Sequence, residues 1–94
     1  MSDSPKSPHI DPRSLLGRTP EQIDRAARDA GLIPRGQDPM NGKGAYVDPL
    51  TGVQRILIHP ADREYHVNNP SGERLDINGN VVELKSPLAH LPLG

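Results

Sequence analysis

Ninety-four residues, 33% of them hydrophobic, with two Tyr and neither Phe nor Trp, allow one small domain whose core must be built from Ile, Leu and Val. Eleven Pro and nine Gly favour loops and short strands over a helical bundle, and the absence of Cys excludes disulfides and thiolate metal sites. A net charge of −1 argues against a broad, sequence-tolerant nucleic-acid surface, while leaving room for a nuclease whose positive charge is confined to one cleft. No apolar run approaches membrane-spanning length, so no membrane insertion by this domain is expected. The N-terminus lacks the apolar core of a signal peptide, so export is expected to depend on sequence outside these residues.

Residues 1–12 (MSDSPKSPHIDP) read as a disordered tail or linker, rich in Ser, Pro and Asp with one isolated Ile. A single domain is expected over residues 13–94. Its one clear helix starts at Thr19, a good N-cap, with Pro20 at the first helical position and Gln22 completing a capping box. Ile23, Ala26, Ala27 and Ala30 recur at helical spacing as a narrow apolar stripe, and Gly31 ends the run. Residues 34–43 (PRGQDPMNGK) show loop chemistry without periodicity.

Strand patterns follow at residues 45–47, 53–58, 65–68, 74–77 and 81–84, separated by DPLTG, HPAD, NPSG and Asn78-Gly79. The tail SPLAHLPLG is extended and apolar, and is expected to pack on the body. The fold expected is α+β: an N-terminal helix laid on a small antiparallel β-sheet of four to five short strands. No internal repeat is evident.

The strong chemical signatures are missing: no P-loop, no dinucleotide fingerprint, no HExxH, no GxSxG and no calcium loop. What remains is four histidines, at positions 9, 59, 66 and 90, and the cations Lys43, Arg55, Arg63, Arg74 and Lys85. Such groups suffice to cleave RNA without a metal. One takes the proton from the ribose 2′-OH, one protonates the departing 5′-oxygen, and a cation stabilises the phosphate.

His66, in EYHVNN, is expected to share a sheet face with Asn68, opposite Tyr65 and Val67. It reads as a cleft-lining catalytic group or as a solvated strand histidine. His90, between apolar residues, reads as its complement or as a partly buried histidine bonded to backbone. Lys43, between glycines, reads as a phosphate contact in a close-approach loop or as part of an ordinary turn. Arg74 reads as a phosphate clamp or a surface arginine. His59 suits a turn and His9 the tail. A zinc site from His59, His66, His90 and Asp62 or Asp76 matches no structural spacing pattern, so neither metal nor cofactor is expected.

The run LLGRTPEQIDRAARDAGLIPRGQDPMNGKGAYVDPLTG resembles the C-terminal toxin domains of bacterial polymorphic toxins of the Rhs and contact-dependent inhibition type. The residues that carry the resemblance are Leu16, Gly17, Arg18, Thr19, Pro20 and Glu21, then Gly31, Leu32 and Ile33, then Gly44, Tyr46, Asp48 and Pro49. The later segments YHVNNPSGERLDINGNVV and SPLAHLPLG look like the tail of the same domains. Many such payloads are similar in fold to the barnase/EndoU/colicin/RelE-like ribonucleases. The resemblance implies a metal-independent endoribonuclease, often acting on tRNA, delivered into the cytoplasm of a competing bacterium and neutralised by a cognate immunity protein. It points to His66, His90, Lys43 and Arg74 as site residues. The low net charge favours a restricted RNA substrate. A noncatalytic binding or adaptor module, and a toxin that cleaves DNA or consumes NAD, stay open as alternatives.

Overall fold

A computed structural model describes residues 8–94; most of the tail expected over residues 1–12 lies outside it. One helix is followed by a five-stranded antiparallel sheet, so the chain is α+β. The helix, α1 (Pro20–Asp29), is set by local chemistry. Thr19 Oγ1 accepts from the Gln22 amide at 3.2 Å, and Gln22 Oε1 accepts from the Thr19 amide at 3.0 Å. At the other end Gly31 is left-handed at φ 97°, its amide bonds the Arg28 carbonyl, and the Leu32 amide bonds the Ala27 carbonyl. That double closure is a Schellman motif, and it turns buried Leu32 into the core. Of the apolar stripe, Ile23 and Ala27 are fully buried. Among the described residues no helix is long and apolar enough to cross a membrane.

The strands are β1 (Ile33–Asp38), β2 (Lys43–Val47), β3 (Gln54–His59), β4 (Glu64–Val67) and β5 (Leu91–Pro92), and they pair in sequence order. Strand β1 falls where loop chemistry was expected, because its residues are mostly exposed and show no alternation. The hairpins β1–β2 and β3–β4 are built alike. Each opens with Pro in a short 3-10 turn, Pro39–Asn41 and Pro60–Asp62, and each closes on a left-handed residue, Gly42 at φ 87° and Arg63 at φ 54°. A structural repeat is therefore present that composition does not display.

Three further turns use one device. Asp48, Asn69 and Asp76 each accept a backbone amide two residues on: Leu50, Ser71 and Asn78 respectively. These are Asx turns, which hold the chain reversal with the side chain itself. The third corrects the expected strands at 74–77 and 81–84. Asp76 Oδ1 also accepts from the Asn80 amide, so the chain reverses immediately after Leu75. Only single bridges remain, Asn68 with Arg74 and Leu75 with Val81.

The sheet separates two environments. Tyr46, Ile56, Ile58, Tyr65, Val67 and Leu91 form the core with Ile23, Ala27 and Leu32 of the helical segment. Ile10 joins that core and Pro12 is also buried, although composition alone assigns both to the tail. Two tyrosines fasten the layers: the Tyr46 hydroxyl donates to Asp24 Oδ1 at 2.6 Å, and the Tyr65 hydroxyl to the Pro12 carbonyl at 2.5 Å. Burial raises the pKa of both phenols, that of Tyr65 to about 12, with the Asp24 carboxylate adding to the effect at Tyr46. Because side chains alternate along a strand, His59, Glu64 and His66 emerge on the face away from this core.

Candidate active site

Strands β3 and β4 pair Leu57 with His66 and His59 with Glu64, which places His59, Glu64 and His66 on one face. The C-terminal segment adds His90. Ser86 caps a 3-10 turn (Pro87–Ala89) by accepting from the Leu88 amide, and the chain then docks Leu91 beside Tyr65. Three imidazoles result in series: His59 to His66 at 5.2 Å between ring centroids, and His66 to His90 at 5.0 Å, both edge to face.

His66 is not the solvated strand histidine that its polar neighbours suggest; it is only 6% exposed. Its Nδ1 lies 2.7 Å from the Ala89 carbonyl. A carbonyl can only accept, so Nδ1 carries the proton and the neutral ring has its lone pair on Nε2. Burial lowers its proton affinity most; the Ala89 bond, next in size, opposes this, Arg74 and then His59 lower the affinity further, and Glu64 raises it least.

His90 differs in the opposite sense. It is exposed, not partly buried, and bonds a carboxylate instead of backbone: Nδ1 lies 2.5 Å from Glu64 Oε2. The Glu64 carboxylate orients the ring and leaves Nε2 as the free edge.

Arg74 reaches this face through its bridge to Asn68. It is half-buried, and its Nε and Nη1 are shielded from solvent with no hydrogen-bond partner. Burial lowers the stability of its charged form. Neighbouring Asn68 is buried as well, donating from Nδ2 to the Gln54 carbonyl while its Oδ1 has no partner. Arg55, an extra residue where the β2–β3 register shifts, is 2% exposed and donates from Nε to the Asn68 carbonyl at 2.9 Å.

The fold thus gathers His66, His90 and Arg74. Lys43 is exposed at the start of β2, next to Gly42, where an added Cβ would lie 3.3 Å from His59 Nδ1. The glycines around Lys43 serve the hairpin: a Cβ on Gly44 would lie 2.1 Å from the Arg35 carbonyl oxygen. Close approach there is of backbone to backbone. The residue absent from the candidates the sequence offers is Glu64, while His59, read there as suited to a turn, joins the cluster. Glu64 stands two positions before His66, a spacing that puts both on one strand face, and that was the available signal.

A groove of 400 Å³ borders His90, lined by Leu16, Ile77, Leu88 and Leu91 together with Asp76 and Asn78. A second concavity of 460 Å³ lies between residues 8–12, Arg55 and the turn at Asn78-Gly79, and none of the three clustered histidines lines it. No protein-family model, no curated protein and no solved structure matches this chain.

Proposed function

We propose that this chain is a metal-independent endoribonuclease, the payload of a bacterial polymorphic toxin, acting on a restricted RNA such as tRNA and held in check by a cognate immunity protein. The observation that carries the catalytic part is the pairing of His66 and His90 at 5.0 Å beside an Arg74 guanidinium with unpartnered N–H groups. Burial favours neutral His66, whose Nε2 lone pair takes the proton from a ribose 2′-OH. The 2′-oxygen attacks phosphorus and the 5′-oxygen departs. His90, protonated and oriented by Glu64, donates the proton that the 5′-oxygen needs. Arg74, whose charge acts on His66, supplies a desolvated cation that stabilises the charge developing on the phosphate. The products are a 2′,3′-cyclic phosphate and a free 5′-OH, which is chemistry that DNA cannot enter. The net charge of −1 supports a particular RNA over RNA in general.

The test is incubation of total RNA with the 94-residue chain in EDTA, followed by analysis of the ends. Cyclic-phosphate ends that are lost in His90→Ala support the reading. Intact RNA, or cleavage that stops in EDTA, overturns it.

A further inference from the structure

We propose that Glu64, His66 and His90 form a binding site for one divalent transition-metal cation of the zinc class. One ligand atom from each of the three lies within 4.8 Å of the others. Two come from β4 at positions i and i+2, which share a strand face, and the third comes from the segment docked beside them. The geometry depends on tertiary structure, since 26 residues separate Glu64 from His90.

The chemistry of the set selects the cation. Two imidazoles and one carboxylate are the three-protein-ligand arrangement that zinc accepts, with a fourth position left to water. Magnesium and calcium demand mostly oxygen ligands, and only one carboxylate is offered here.

His66 is already prepared for the role. Its Nδ1–H is held by the Ala89 carbonyl at 2.7 Å, which fixes the ring and turns Nε2 to the cation. Metal-ligating histidines are commonly oriented by such a bond. His90 Nδ1 and Glu64 Oε2 already lie 2.5 Å apart, and cation entry replaces that contact as both groups become ligands. Zinc bonds of about 2.0–2.1 Å in a tetrahedron place ligand atoms about 3.4 Å apart. The ligands must therefore close in, and the side chains of His90, 42% exposed, and Glu64, 19% exposed, can swing while His66 stays anchored.

Arg74 works against occupancy, because its charge already acts on His66. Glu64 offsets it. The site is therefore expected to be reversible, unlike a closed structural zinc centre.

Occupancy has a consequence for the activity proposed above. A cation on Nε2 of His66 and on His90 removes both proton-transfer groups, so zinc and RNA turnover exclude one another. Binding itself does not depend on the nuclease reading.

The experiment is calorimetric titration of zinc chloride into the full chain near neutral pH without RNA, with magnesium chloride as a second titrant. The comparison variants are Glu64→Gln, His90→Ala and His9→Ala, the first two at sites exposed enough to spare the fold. One zinc equivalent is expected, weakened by at least about tenfold in both Glu64→Gln and His90→Ala, unchanged in His9→Ala, with no magnesium heat. Absence of saturable zinc binding overturns the proposal, as does an affinity that either cluster variant leaves intact. Zinc binding by a chain that cleaves no RNA sustains this proposal and removes the nuclease reading.

Discussion

His66 and Ala89 are joined by a hydrogen bond of 2.7 Å that spans 23 residues and ties β4 to the C-terminal turn. The bond sets the tautomer of a buried imidazole, and the turn that supplies it also delivers His90. The same turn thus orients the first histidine and positions the second.

Removing the imidazole of His66 should abolish most RNA cleavage. General acid–base groups contribute roughly 10²–10⁴ in rate, so His66→Gln is expected to lose at least about a hundredfold in EDTA. Glutamine keeps a donor for the Ala89 carbonyl, and an unchanged circular dichroism spectrum separates lost chemistry from lost fold. Near-normal cleavage by a folded His66→Gln protein contradicts the assignment.

Arg74 should trade stability for activity. Its shielded Nε and Nη1 have no partner, and an unsatisfied buried polar group costs about 1–3 kcal/mol. Arg74→Met is expected to raise the melting temperature by a few degrees, given about 4–8 °C per kcal/mol in a domain of this size, while reducing cleavage. A variant that melts lower and cleaves normally contradicts both halves.

Stability should fall as pH drops below neutrality, with His66 as a main cause. Burial lowers its folded-state proton affinity below the unfolded value near 6.5. In the window below that value the unfolded chain binds more protons, so unfolding becomes more favourable as pH falls. One proton gives a slope of at most about 1.4 kcal/mol per pH unit. Denaturant unfolding of wild type and His66→Gln in chelator, from neutral pH to about pH 5, should show a shallower slope in the variant. Parallel curves contradict it.

Gly44→Ala should break the β1–β2 hairpin. Gly44 sits at φ 142°, and an added Cβ would meet the Arg35 carbonyl oxygen at 2.1 Å, a backbone atom that cannot step aside. A loss of at least about 2 kcal/mol is expected, measured by urea unfolding. In contrast, Gly52→Ala meets no atom within 4 Å and carries only the strain of its φ of 76°, so it should cost about 1–2 kcal/mol.

The cap at Thr19 should be worth about 1 kcal/mol. Thr19→Ala removes the acceptor for the Gln22 amide, with an expected drop of about 4–8 °C in melting temperature. A change below one degree contradicts the cap's role.

What sequence alone determined was whatever is settled within a few residues. The helix limits follow from Thr19, Pro20, Gln22 and Gly31, and the reversals at Asp48 and Asn69 follow from side chains that bond their own backbone, whereas the reversal at Asp76 displaced a strand expected over residues 74–77. Strand β1 was hidden because an exposed, Gly-containing edge strand exists only through pairing with β2, which no local periodicity records. The candidate site was legible as residue types, since His66, His90 and Arg74 stand out as groups able to move protons or hold phosphate. Their environments were not legible. His66 is buried and His90 exposed, the reverse of what their neighbours suggest, because burial depends on where residues 86–92 come to rest and not on which residues flank a histidine. Glu64 gained its partner for the same reason. A hydrogen bond between positions 64 and 90 is a property of the folded sheet, and only the tertiary structure could decide it.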